Sequence, residues 1–205
     1  MKYMSIIAAA AALAFAASAQ AQDIKLCVDQ ACLGMTLAEA ESLKLAPADD
    51  YGFKFSGKGD YYGLDSAGKR INYAESGDLD GDLIKKFRAT VATICSFGGA
   101  NARLTGSDGQ RVMLLFRPAL RSGKGELVLT EIASYLPKQL SESDVQRIKA
   151  EAKARYGDAF SAKWSTAITR PDVALYQNRM VGNTLTLRLP EQDLSAALMA
   201  QPGCK

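Results

Sequence analysis

The residues best equipped for chemistry in this 205-residue chain are four cysteines: Cys27, Cys32, Cys95 and Cys204. An even number of cysteines predicts two disulfides if the chain is exported, which the N-terminal segment discussed below indicates, and three pairings are open. Cys27 and Cys32 are close in sequence and should meet early, which favours Cys27–Cys32 with Cys95–Cys204. A redox role fits less well, because oxidoreductase cysteines have two residues between them, whereas Cys27 and Cys32 have four.

The second chemical feature is the complete lack of histidine. This excludes Ser-His-Asp and Cys-His catalysis and His-ligated zinc. Cysteines held in disulfides cannot serve as nucleophiles or as metal thiolates. An enzyme would therefore depend on a carboxylate pair or a Ser–Lys dyad, and neither has a recognisable signature here. We expect no catalytic residue, no metal site and no cofactor.

Two kinds of segment resemble ligand-binding loops but are better explained as turns. Residues 78–82 (Asp-Leu-Asp-Gly-Asp) look like a calcium loop, but Leu83 and Ala89 occupy the positions where an EF-hand needs glycine and glutamate. The sequence Ser-Gly-Lys-Gly occurs at 56–59 and at 122–125. Each copy is expected between two strands, whereas a P-loop connects a strand to a helix.

The best candidate for an interaction surface is a mixture of aromatic and basic residues in the first half of the chain. The candidate patch consists of Tyr51, Phe53, Lys58, Tyr61 and Tyr62. Aromatic residues are enriched at interaction hot spots, and the adjacent Tyr61 and Tyr62 must point to opposite faces of a strand. At least one of them should then be exposed. The alternative is a sheet with one core face and one ordinary wet face.

Three segments have the hydrophobic period of amphipathic helices, and a short fourth helix fits after a proline. The helices are expected at about 36–45, 80–97, 141–157 and beyond Pro190. Capping boxes, formed by Thr36 with Glu39 and by Ser141 with Asp144, mark the starts of the first and third. The second would carry Cys95 at the edge of its apolar stripe.

Segments in which apolar and polar residues alternate, as is typical of β-strands, lie between these helices. Hairpin turns are expected at 66–68 and 106–109, with further strands at 126–135, 160–168, 173–176 and 184–189. Since the connections are too short for parallel crossovers, we predict an α+β fold: an antiparallel sheet built from hairpins, with three or four amphipathic helices packed on one face. One domain over 22–205 is expected, and two lobes meeting near 136–140 are the alternative.

The N-terminus has the features of a cleavable secretory signal. Lys2 precedes an apolar run at 6–17, and residues 19–21 (Ala-Gln-Ala) match a signal-peptidase site. Removal of residues 1–21 takes away one lysine and lowers the net charge from +3 to +2, which is too balanced for a nucleic-acid partner. The apolar run is too short for a membrane span. We expect a periplasmic or secreted protein without a transmembrane segment.

Two short segments resemble known exported proteins. Residues 33–36 (Leu-Gly-Met-Thr), followed by Glu39 and Leu43, resemble the first helix of SmpA/OmlA (BamE-type) envelope proteins and of the β-lactamase-inhibitor-like fold, and residues 154–157 with Trp164 resemble a helix end and strand of small proteobacterial periplasmic proteins. The lipobox of the lipoprotein members is absent before Cys27. The resemblance implies a helix-plus-antiparallel-sheet architecture and a non-catalytic binding role. We therefore expect a periplasmic interaction protein whose partner is another envelope protein or a small envelope ligand; the alternative is a carboxylate-dependent hydrolase of cell-wall glycan.

Overall fold

The computed structural model describes residues 26–43, 53–55, 60–74, 81–163, 171–178, 182–190 and 194–204. The predicted signal segment lies outside these ranges. So do Tyr51 and Lys58 of the candidate patch, and residues 164–168 of the strand expected from 160.

The described elements follow the chain in this order. They are β1 (Cys27–Val28), β2 (Ala31–Cys32), α1 (Leu37–Ser42), β3 (Phe53–Phe55), β4 (Asp60–Leu64), β5 (Arg70–Ala74), α2 (Gly81–Thr90), β6 (Thr93–Ser96), β7 (Ala100–Thr105), β8 (Arg111–Arg121), β9 (Lys124–Leu136), α3 (Glu142–Tyr156), a 3₁₀ turn (Gly157–Ala159), β10 (Phe160–Ser161), β11 (Asp172–Asn178), β12 (Gly182–Arg188) and α4 (Leu194–Met199).

The strands form one large sheet and two small ones. The large sheet has seven strands in the order β10-β11-β12-β9-β8-β7-β3, a second sheet has the order β5-β4-β6, and β1 pairs with β2. The expected hairpins β4–β5 and β7–β8 are present. However, the large sheet is not built from antiparallel hairpins alone, because β10 runs parallel to β11 and β12 lies beside β9 although α3, β10 and β11 separate them in the chain. Sheets with a few helices are confirmed; the all-hairpin description is wrong.

The expectation of three or four amphipathic helices on one face is also wrong. Within the described ranges α3 has 15 residues and α2 has ten, whereas α1 and α4 have only six residues each. Both predicted capping boxes are present, with Thr36 and Glu39 at α1 and Ser141 and Asp144 at α3. Capping boxes are local, which explains why the sequence locates helix starts better than helix ends.

The second helix shows how tertiary pairing overrides a helical period. The stripe containing Phe87, Val91 and Ile94 predicts a helix through Cys95, but α2 ends at Thr90 and the chain continues as β6. Ile94 pairs with Gly63 of β4. Residues 90, 91, 93 and 94 are all β-branched, and such side chains favour strands. Cys95 therefore lies on β6, a strand of the three-stranded β5-β4-β6 sheet, which we call the small sheet.

The main core is formed on the large sheet, with α1 and the small sheet packed against it. Leu129 and Ile132 of β9 are fully buried in one cluster with Leu37 of α1, Phe87 of α2 and Tyr61 of β4.

The small sheet lies in direct backbone contact with the large sheet. At Gly125 of β9 a side chain would overlap the carbonyl group of Ile94 on β6 and approach Leu198 of α4 to 3.0 Å. The lack of a side chain at residue 125 thus allows β6 to lie directly on β9.

Both predicted disulfides are present. The Cα atoms of Cys27 and Cys32 lie 4.0 Å apart across the β1–β2 hairpin. Those of Cys95 and Cys204 lie 5.3 Å apart and join residues separated by 109 positions. The second bridge ties the C-terminal segment to β6, and the Tyr62 hydroxyl donates to the Cys204 carbonyl at 2.8 Å.

We expect the long disulfide to stabilise the fold more than the short one. By the chain-entropy relation, closing the long loop contributes about 5 kcal/mol and closing the short loop about 2 kcal/mol. The double variant Cys95→Ala/Cys204→Ala should therefore lose more free energy of unfolding than Cys27→Ala/Cys32→Ala in urea denaturation followed by circular dichroism. An equal or smaller loss would contradict this ranking.

Gly125→Ala should destabilise the protein by about 3 kcal/mol, since the new methyl group overlaps backbone that cannot rotate away. Gly68→Ala is a suitable comparison, because Gly68 has a φ of +76° but open space around it. Its expected cost is the backbone term alone, about 1 kcal/mol. Thermal unfolding of both variants measures the difference. Equal losses would show that β6 does not press on β9.

Candidate functional site

Tyr61 and Tyr62, the two central residues of the candidate patch, do not lie on the protein surface. Tyr61 is 1% exposed and Tyr62 is 6% exposed. They do point to opposite faces of β4, but both faces are covered. Tyr61 packs on Phe97, with ring centroids 4.3 Å apart, and Tyr62 clusters with Leu64 and the Cys95–Cys204 bridge.

The prediction that one of these tyrosines is exposed is therefore wrong. The predicted Cys95–Cys204 bridge brings the chain's last residues to Cys95, but with Cys95 expected on a helix the sequence does not indicate that they cover the second face of this small sheet. Tyr51 and Lys58 lie outside the described residues. Phe53 lies on β3, whose backbone pairs with β7 at Ala102.

A groove offers a better candidate site. It has a volume of about 730 Å³, within the range of roughly 300–1,000 Å³ typical of small-molecule sites. It lies between residues 32–35, α1, the β8–β9 hairpin and the segment around α4. It is lined by Cys32, Leu33, Gly34, Met35, Glu39, Ser42, Leu43, Ala119, Leu120, Arg121, Val128, Thr130, Leu189, Pro190 and Ala197.

Backbone hydrogen bonds to β9 hold the groove walls. Gly34 donates to the Leu129 carbonyl at 2.9 Å, and the Leu129 amide donates to the Met35 carbonyl at 2.8 Å. Next to them, the Leu189 amide donates to the Thr130 carbonyl at 2.9 Å. The segments before α1 and after β12 thus attach to consecutive residues of one strand.

A bulge in β9 lies at this attachment point. Leu115 of β8 pairs with Glu131 and Phe116 pairs with Leu129, so Thr130 has no opposite residue. The Thr130 hydroxyl donates to the Leu115 carbonyl at 3.2 Å. Bulges change the direction of side chains and recur next to functional sites. Here the bulge places Thr130 in the groove lining.

An ion pair forms the polar margin of the groove. Arg121 Nη1 lies 2.7 Å from Glu39 Oε2, and Arg121 Nη2 lies 3.2 Å from Glu39 Oε1. Nη1 also donates to the Gly34 carbonyl. Hydrogen bonds from Thr36, chiefly from its backbone amide, lower the pKa of Glu39, and Arg121 adds to this effect. The sequence indicates Glu39 only as a helix cap, and nothing local marks Arg121 as its partner.

The Cys27–Cys32 hairpin, which lines one end of the groove through Cys32, is anchored from two sides. Asp29, with a φ of +50°, accepts hydrogen bonds from the Ser107 hydroxyl at 2.6 Å and the Ser107 amide at 2.9 Å. These bonds lower the pKa of the Asp29 carboxyl group. On the other side, the Tyr156 hydroxyl donates to the Cys27 carbonyl at 3.3 Å.

A second, more polar cleft lies between α3 and the ends of β9 and β12. Its volume is about 390 Å³, and its lining includes Asp108, Asp144 and Glu151. Arg147 donates to both Asp144 and Glu151, and hydrogen bonds from Ser141 lower the pKa of Asp144. A glycosidase general acid needs the opposite shift. The glycan-hydrolase hypothesis stays a prediction that nothing in this cleft favours.

Among the residues that the structure describes, no helix is both long enough and apolar enough to cross a membrane. The same residues contain no group of three or more cysteine, aspartate or glutamate side chains placed to hold a metal ion.

Ser107→Ala should raise the pKa of Asp29 part of the way to its usual 3.8, because the amide bond remains. A lowered native pKa contributes stability above the unfolded pKa and loses it as the pH falls through the native value. The variant should thus lose about 1 kcal/mol at neutral pH and less in acid. NMR titration of the Asp29 carboxyl carbon measures the pKa, and urea denaturation at neutral and at acidic pH measures the loss of stability. Ser66→Ala, in another exposed turn, is the control; equal losses at both pH values for Ser107→Ala would contradict the assignment.

Known proteins give no independent guide to this site. Comparison of the chain with protein-family models, with curated proteins and with solved structures finds no match. The resemblance to SmpA/OmlA-type proteins therefore stays a prediction, and any functional proposal has to rest on the geometry of the groove.

Proposed function

We propose that this chain is an exported, non-enzymatic binding protein that holds a small apolar ligand of the cell envelope in the groove between α1, β8–β9 and α4. The observation that carries the proposal is the groove itself: a cavity of about 730 Å³ with mostly aliphatic walls and a few polar groups at one margin. This combination is typical of small-molecule sites.

Apolar exposure at the groove supports a ligand. Leu120 is 40% exposed and is one of two large hydrophobic side chains that stand out in this way among the described residues. Leu43 and Leu189 are partly exposed in the same lining. When a ligand displaces water from apolar surface in a concave site, each Å² of apolar surface buried favours binding by roughly 25 cal/mol.

The rigidity of the walls is a second argument. β9 and the segments attached to Leu129 and Thr130 are held by backbone hydrogen bonds, and the loop carrying Cys32 is closed by a disulfide. A preformed site loses little conformational entropy on binding, so a modest number of contacts suffices for useful affinity.

The expectation of export agrees with the disulfides. Disulfides persist in oxidising compartments such as the bacterial periplasm, and both bridges link cysteines of the predicted mature chain. Envelope compartments supply apolar molecules that need a carrier or a receptor in water. A protein partner is the other option raised by the sequence, and displacement of a bound dye from the groove by an apolar peptide, but not by a lipid, would favour it.

Ala197→Glu should weaken ligand binding at least about tenfold, because it places a charge in an apolar site that the ligand would have to desolvate. Ala197 lines the groove and is exposed, so the change should leave the fold intact. The measurement is titration of the mature protein with N-phenyl-1-naphthylamine, whose fluorescence rises in apolar sites.

Ala150→Glu is the matched control. Ala150 is an exposed alanine of α3, outside the groove lining. We expect the Ala150→Glu variant to bind the dye as tightly as the wild type does. Equal binding by Ala197→Glu and the wild type, or no binding by the wild type, would overturn the proposal. Unchanged thermal unfolding of both variants excludes a folding defect.

A further inference from the structure

Arg121 has hydrogen-bonding capacity left at the margin of the groove. A guanidinium group carries five N–H donors. Nη1 donates to the Gly34 carbonyl and to Glu39, and Nη2 donates once to Glu39. Within the described part of the chain, Nε–H and the second Nη2–H have no protein acceptor. The side chain is 39% exposed, so a ligand atom can reach it.

The charge of Arg121 is nevertheless compensated. Glu39 faces it with both carboxylate oxygens. Glu39 cannot turn away freely, since the same carboxylate accepts the Thr36 amide at 2.6 Å in the capping box of α1. An anion arriving at Arg121 would therefore meet a fixed negative charge, whereas a neutral acceptor would gain a charge-assisted hydrogen bond without repulsion.

The groove also suits an acyl chain better than a peptide. A peptide brings N–H groups that need acceptors. The β9 carbonyls at this wall are already occupied, that of Leu129 by Gly34 and that of Thr130 by Leu189. A hydrocarbon chain makes no such demand.

We propose that the groove selects a neutral single-chain amphiphile, an acyl ester or amide, whose carbonyl oxygen accepts from Arg121 and whose anionic counterpart is rejected by Glu39. This inference rests on the proposed function and assigns its ligand class. It makes the Arg121–Glu39 pair a specificity determinant in addition to a structural contact.

The test compares two ligands with the same chain, 1-monododecanoylglycerol and dodecanoic acid, by displacement of N-phenyl-1-naphthylamine at neutral pH. The wild type should bind the ester at least about tenfold more tightly than the acid. Glu39→Gln keeps the cap, because glutamine serves equally at this position, but leaves Arg121 uncompensated. This variant should bring the ratio of the ester affinity to the acid affinity to one, or reverse the preference.

Asp144→Asn is the matched control, since Asp144 fills the same capping role in α3 and lies outside the groove. It should leave the ratio unchanged. Equal affinity of the wild type for both ligands, or an unchanged ratio in Glu39→Gln, would overturn the inference while dye binding still supports the groove. If an apolar peptide displaces the dye and neither lipid does, a peptide site replaces a lipid site. If the dye does not bind at all, the proposed function fails first.

Discussion

The pairing of β9 along both of its edges is the constraint on which the rest of the structure depends. On one side β8 covers it from Val112 to Arg121. On the other side β12 pairs with 131–136, and Gly34 and Met35 continue the pairing at Leu129. Over 129–134, where partners lie on both edges, β9 exposes no free strand edge for aggregation. The strand also brings the segment before α1 and the segment after β12 to neighbouring residues, Leu129 and Thr130, which creates the groove.

The small sheet depends on the same strand through packing instead of pairing. Gly125 allows β6 to lie directly on β9. The C-terminal residues then cover the far face of the sheet, held by the Cys95–Cys204 bridge and by the Tyr62 hydroxyl. These contacts join residues more than a hundred positions apart, and their loop-closure entropy is large. A covalent bond at this point offsets that cost where hydrophobic burial alone is limited.

Local features of the sequence predict the structure well, and long-range ones do not. The capping boxes at Thr36 and Ser141, the hairpin turns and the disulfides follow from residues near one another or from simple pairing logic. The end of α2, the burial of Tyr61 and Tyr62 and the position of β12 depend on which strand becomes a neighbour. The groove is of the second kind: Glu39 and Arg121 are 82 positions apart, and no periodicity connects them.

Glu39 illustrates how one side chain can satisfy a local and a distant requirement together. As a cap it is held by Thr36, which lowers the pKa of its carboxyl group and keeps it ionised. That same immobility lets it neutralise Arg121 in a fixed geometry. A partly exposed ion pair contributes little to stability, typically less than about 1 kcal/mol. In the proposed binding site its part is selectivity, because a fixed ion pair with unused donors would distinguish ligands by charge even though it adds little to the stability of the fold.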